Sequence, residues 1–132
     1  MMSENKHCFC GLEKRYSDCC EPYHLNHKPA ATAETLMRSR YSAYVLGNES
    51  YLLATWHQST RPASLELDKE SNTKWLGLKI VNTERGMSGD AEGTVEFVAR
   101  YKINGKAHRL HEISRFVKEA GSWYYVGGDI QA

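Results

Sequence analysis

Residues 94–106 read Thr94-Val95-Glu96-Phe97-Val98-Ala99-Arg100-Tyr101-Lys102-Ile103-Asn104-Gly105-Lys106. Val95, Phe97, Ala99 and Tyr101 recur at every second position, the side-chain period of a strand with one face in a core. Asn104-Gly105 then breaks the alternation. Both central residues of a two-residue type I′ turn need positive φ, and Asn-Gly accepts it. The stretch predicts a strand over Thr94–Lys102 and a tight hairpin into a return strand over Ala107–Glu119. Downstream, Ala120-Gly121 turns the chain into a fourth strand, Trp123–Gly127. Upstream, Gly86-Met87-Ser88-Gly89-Asp90 closes a hairpin on a first strand, Trp75–Thr83, where Leu76, Leu78 and Ile80 alternate against Trp75, Lys79 and Val81. The second half is thus an antiparallel meander of four strands.

The period differs before Asn72. Leu36, Met37, Tyr41, Tyr44 and Val45 recur at three- and four-residue steps, as on one face of a helix. Thr32 suits its N-cap, Glu34 its first turn and Gly47 its C′ position. Asn48 can cap a second helix running to about Trp56. Pro62 opens a short helix or turn near Ala63–Asp68. Glu21–Ala31 carries two of the three prolines and no periodicity, so it reads as a linker. Helices first, then a curved antiparallel sheet, is an α+β layout with the helices packed on one face.

Composition excludes several classes. The 132 residues suit one ordinary core. Seventeen Lys+Arg against 16 Asp+Glu leave +1, which argues against a strongly cationic nucleic-acid or membrane-surface binder. No run reaches the ~20 apolar residues of a membrane span. The opening Met-Met-Ser-Glu-Asn-Lys-His has no signal-like apolar stretch, so the expected location is cytoplasmic, where thiols stay reduced.

The four cysteines, Cys8, Cys10, Cys19 and Cys20, all lie within the first twenty residues. A disulfide framework would spread them along the chain. Two close pairs joined by a short polar loop point to a four-thiolate metal site, because four sulfurs complete a tetrahedron. Zinc is the expected ion, and an all-sulfur site also accepts iron. A redox thiol pair or inert buried thiols are the competing readings, the former weakened by the absence of Cys-x-x-Cys. Gly11 follows the first pair, where the chain must bend tightly and glycine allows positive φ. His7, His24 and His27 flank the cluster and read as exposed loop residues.

The run from Cys8 to Cys20 resembles the SEC-C motif, the metal-binding knuckle found also at the C-terminus of the preprotein-translocase ATPase SecA. All four ligand positions, Gly11, the basic pair Lys14-Arg15 and Tyr16 match. Leu12-Glu13 and Ser17-Asp18 depart from the usual Ser-Gly and lysines, which makes this knuckle less basic. The stretch from Thr32 to Gly128 resembles the nuclear-transport-factor-2-like cone of the YchJ-like family. The matching segments include Leu36–Tyr44, Tyr51–His57, Trp75–Leu78, Val95–Tyr101 and Glu112–Phe116. The resemblance implies residues 1–31 as knuckle and linker and residues 32–132 as the α+β domain.

Such a cone implies a pocket between the concave sheet and the first helix, and a sheet able to dimerise. Arg38, Arg40, Tyr41, Trp75 and Tyr101 are its expected lining. His57, Glu112 and Arg115 are catalytic candidates, as general base or anion clamp. Each also has an ordinary structural role: a surface or cap histidine, and a satisfied ion pair. The leading functional expectation is a metal-binding adaptor that meets a protein partner through the knuckle. A small-molecule enzyme or ligand-binding protein using the cone is the alternative. Nucleic-acid binding through Lys6, Lys14, Arg15 and Lys28 is disfavoured by Glu13, Asp18 and Glu21 among them.

Overall fold

The alternating segments form four strands, β1 Thr73–Arg85, β2 Glu92–Ile103, β3 Lys106–Glu119 and β4 Ser122–Ile130. They pair antiparallel in the order β1-β2-β3-β4. The structure, a computed structural model, describes residues 7–65, 67 and 73–131. Ile103 pairs with Lys106 across Asn104-Gly105, whose φ angles of 51° and 85° are those of the expected turn. Ala120-Gly121 repeats this geometry at 51° and 83°.

The register of β1 departs from simple alternation. Leu76 and Val81 are each looped out of the pairing with β2. Every such bulge moves the following residues to the other face. Trp75, Leu78 and Ile80 therefore share the inner face, opposite Tyr101, Ala99 and Phe97. Leu76, which alternation groups with Leu78, is 45% exposed, and Val81 is 48% exposed. A third irregularity lies between Arg115 and Phe116, where β4 carries Val126 as an extra residue. The bulges bend the sheet, as bulges do.

Helix α2, Ala33–Leu46, lies across the concave face. The Thr32 side chain accepts a hydrogen bond from Thr35 N, and Gly47 ends the helix in the left-handed region. Ala33, Leu36, Met37 and Tyr41 pack on Val95, Phe97, Ala99, Phe116 and Trp123 to form the core. Its other side is also covered: Ser39, Arg40 and Ser42 are buried. Helix α3, Glu49–Ala54, is capped by Asn48 and ends before Trp56. Residues after it leave the helix because β4 offers them partners. Tyr125 N donates to Thr55 O at 2.8 Å, and His57 N donates to Tyr125 O at 2.8 Å. The β4 edge is thereby partly closed.

One local expectation changes. The segment read as a linker begins with a helical turn, α1 Glu21–His24, with Pro22 in its first turn where a missing N–H costs nothing. Of the short helix or turn expected near Ala63–Asp68, Ala63 lies in a bend and Leu67 in a 3-10 turn, and residues 66 and 68 lie outside the described residues. Among the described residues no helix is long and apolar enough to cross a membrane.

Gly93 marks a close backbone crossing, since an added Cβ would fall on the Cα and N of Gly86. Gly93→Ala is expected to lower stability by about 1–3 kcal/mol, the usual cost of overpacking. Gly89→Ala, with nothing within 4 Å of the new methyl, should leave it nearly unchanged. Matching denaturant midpoints for the two variants would contradict this packing.

Tyr41 is buried, and burial raises its phenol from 10.0 to about 12. The folded state thus holds this proton where the unfolded chain has lost it. Stability is complete below the unfolded value of about 10 and falls as pH rises towards 12. Tyr125 is shifted upwards, first by burial and then by Glu112, and adds to the effect. Melting temperature should therefore drop above pH ~10, and a flat profile there would contradict the burial of these hydroxyls.

Candidate metal centre

The knuckle is a miniature hairpin followed by a helical turn. His7 and Arg15 form an antiparallel bridge, and Cys8 N donates to Lys14 O at 2.6 Å. Between them Gly11 takes the expected positive φ, 96°, and its N–H donates to Cys8 O at 3.4 Å. Tyr16–Asp18 makes one 3-10 turn, after which Cys19 N donates to Tyr16 O at 3.0 Å. Cys20 precedes α1, and its carbonyl accepts from Tyr23 N and His24 N, both at 3.1 Å. Hairpin and helical turn aim all four thiols inward.

All four cysteines are buried and free of disulfides. Their Sγ atoms lie within 4.8 Å of one another. Cys10 and Cys19 are 3.5 Å apart, and Cys19 and Cys20 3.9 Å. Sulfurs bound at ~2.3 Å to one tetrahedral ion would stand about 3.8 Å apart, so the quartet has the spacing of a closed structural site. Hydrogen bonds from Cys10 and Cys20 pull the Cys8 thiol down, while burial and hydrogen bonding with Cys10 push Cys19 up. Cys20 is also pushed up, foremost by its hydrogen bonds with Cys10 and Cys8. Four thiols this close ionise together only if a cation balances them.

The centre is fastened to α2. Arg38 donates from Nη1 to Cys10 O at 2.7 Å and from Nε to Glu34 Oε2 at 3.0 Å. A Cβ on Gly11 would sit 3.2 Å from Leu78 O and 3.4 Å from Arg38 Nη1, so glycine lets the loop rest against helix and sheet. His24 is not an exposed loop residue. Its Nε2 lies 2.7 Å from Ser39 O and its Nδ1 2.6 Å from Tyr16 OH. A carbonyl only accepts, so Nε2 carries the proton and Tyr16 O–H donates to Nδ1. His24 thus bridges knuckle and helix and stands outside the cysteine quartet.

A second candidate lies within the cone. A cavity of about 280 Å³ opens between α2 and the sheet, lined among others by Arg40, Tyr41, Trp75, Glu112, Ser114 and Tyr125. Arg40 donates from Nη1 to Leu52 O at 2.8 Å and Thr55 Oγ1 at 2.7 Å, and burial lowers its pKa. Glu112 Oε2 accepts from Ser114 Oγ at 2.6 Å and from Tyr125 OH at 3.3 Å.

Two of the residues expected in this lining stand elsewhere. Arg38 faces the knuckle, and Tyr101 sits beyond Trp75, stacked on His108 with ring centroids 5.3 Å apart. The three catalytic candidates do not meet. His57 bonds Glu119 Oε2 at 2.6 Å and Ser59 Oγ at 2.7 Å, and Arg115 pairs with Asp129 at 2.8 Å on the outer face. Glu112 alone lines the cavity. Leu65 and Leu67 also reach it, though they belong to a stretch whose sequence has no period to announce them.

A compact four-cysteine knuckle seated on a helix-crossed, curved four-stranded sheet defines a SEC-C-type motif joined to a nuclear-transport-factor-2-like domain. Residues 32–128 match the family described as YchJ, middle NTF2-like domain, and the chain belongs to that family. It is 56% identical over 122 residues to a UPF0225 protein of Chromobacterium violaceum, covering 92% of this chain and 90% of that one. A UPF0225 protein of Bordetella pertussis is 52% identical over 126 residues, covering 94% and 92%. Among solved structures, the solution structure of a SEC-C motif containing protein from Rhodopseudomonas palustris superposes with a TM-score of 0.85 at 33% identity. It covers 96% of this chain and 100% of that one. The crystal structure of a SEC-C motif containing protein from Psychrobacter arcticus gives 0.78 at 30% identity, covering 100% and 86%.

Arg38→Ala removes the hydrogen bond to Cys10 O from a mostly buried side chain. The expected loss is about 1–2 kcal/mol in thermal or denaturant unfolding. Glu34→Ala breaks only the partly exposed ion pair and should cost well under that. Equal losses from the two would show that the contact with Cys10 contributes nothing.

Proposed function

We propose that the protein is a cytoplasmic zinc-binding adaptor. Its knuckle, residues 1–31, holds the ion through Cys8, Cys10, Cys19 and Cys20 and meets a protein partner. The domain of residues 32–132 serves as its base. The observation that carries this reading is the convergence of four buried thiols within 4.8 Å. Ion binding at such a site is worth ~10–16 kcal/mol in apparent terms, far more than so short a loop gains by burial.

The outer surface of the knuckle supports a protein rather than a nucleic-acid partner. Phe9 and Leu12 are 44% and 36% exposed, and they flank the Cys10-Gly11 bend. Apolar side chains displayed on so small a rigid loop suit a protein contact. Of the basic pair, Arg15 is already engaged by Asp18 at 3.5 Å, which weakens the field an RNA phosphate would meet.

Native mass spectrometry of protein purified without added metal is expected to find one zinc ion per chain. Cys19→Ser should lower that occupancy. Phe9→Ser with Leu12→Ser should keep the ion and lose the co-purifying partner. An iron mass would replace the ion but keep the site. Chains without a stoichiometric ion and with their thiols joined to one another would refute it.

A further inference from the structure

The cavity between α2 and the sheet holds a buried cation, Arg40, and a carboxylate, Glu112, that do not pair directly. Arg40 is 3% exposed, yet no carboxylate among the described residues lies within ion-pair distance of it. Its Nη1 is spent on Leu52 O and Thr55 Oγ1, while its carbon centre stands 4.5 Å from the Tyr125 ring centroid and 5.3 Å from that of Trp56. Neutral carbonyls and ring faces compensate a buried cation only in part, and a bidentate anion would do so far better. Both of its hydrogen bonds to described residues leave from Nη1.

Across Tyr125 sits the opposite charge. The Tyr125 hydroxyl donates to Glu112 Oε2, which the Ser114 hydroxyl also reaches. Gly128, paired with Ser114, leaves the space this carboxyl occupies, because a Cβ there would collide with it. Oε2 is thus fixed by two donors, and Glu112 lines the cavity. Met37, Phe97 and Leu110 supply apolar walls between the two charged ends.

We propose that this cavity binds a small carboxylic acid with a flat apolar body and a hydrogen-bond donor at its far end. The carboxylate pairs with Arg40, the body lies between Met37 and the sheet, and the donor meets Glu112. At about 280 Å³ the cavity is near the lower limit for small-ligand sites, which restricts the body to a single ring. None of the four cysteines lines this cavity.

The test is titration of the metal-loaded protein with para-hydroxybenzoate, para-hydroxybenzamide and para-hydroxybenzylamine, followed by amide chemical shifts. The acid should give saturable shifts at Ala99, Leu110 and Ser114. The amide and the amine should bind about tenfold more weakly or worse, as loss of a charge-assisted pair requires. Ala99→Leu, which fills the cavity from the sheet, should abolish these shifts while the spectrum stays dispersed. Should that variant fail to fold, the ranking of the three probes still decides. Absent or unsaturable shifts would overturn the proposal. So would an amide or amine that binds as tightly as the acid, or shifts confined to Arg100 and Arg109 on the outer face.

Discussion

The middle of helix α2, from Leu36 to Ala43, is covered on every side, and the rest of the molecule depends on that constraint. Leu36, Met37 and Tyr41 face the sheet, Ser39 and Ser42 face His24 of the knuckle, and Arg40 reaches α3. Polar groups taken out of water must find partners or cost several kcal/mol. Ser39 and Ser42 do so: Ser39 Oγ donates to Leu36 O at 2.8 Å and lies 2.7 Å from Tyr51 OH, while Ser42 Oγ donates to Ser39 O at 3.1 Å. Two bonds that leave the helix, Ser39 Oγ with Tyr51 OH of α3 and Ser39 O with His24 Nε2 at 2.7 Å, tie α3 and the knuckle to it, since a slip of the helix would strand both.

Two candidate sites are held by neighbouring residues of this helix. Arg38 and Arg40 are two positions apart, which on a helix turns them to opposite sides. Arg38 grips the carbonyl of Cys10, and Arg40 lines the cavity. The knuckle is therefore a fitted part of the surface, with Gly11 resting near Leu78 O.

The sequence showed the strands, the Asn-Gly hairpin, the capped helix and the cysteine quartet because each is signalled locally. Thr32, Gly47 and Asn48 all cap as their chemistry predicts. What it hid depends on tertiary context. Alternation groups Leu76 with Leu78, and only the pairing with β2 reveals the bulge that separates them. Arg38 and Arg40 read alike in one dimension and face different partners in three. His24 resembles a loop histidine until Tyr16 and Ser39 are seen on either side of it. The cavity charges were legible as residue types, Arg40 and Glu112, but their joint contact with Tyr125 was not.

Helix α2 should make knuckle and cone one cooperative structure. Native-state hydrogen exchange under increasing denaturant tests it most directly. The amides of Cys8, Cys19 and His24 and those in the middle of α2 should converge on a single opening free energy as global unfolding takes over. If the three knuckle amides instead exchange through their own low-energy opening while α2 stays fully protected, the helix does not hold the two together.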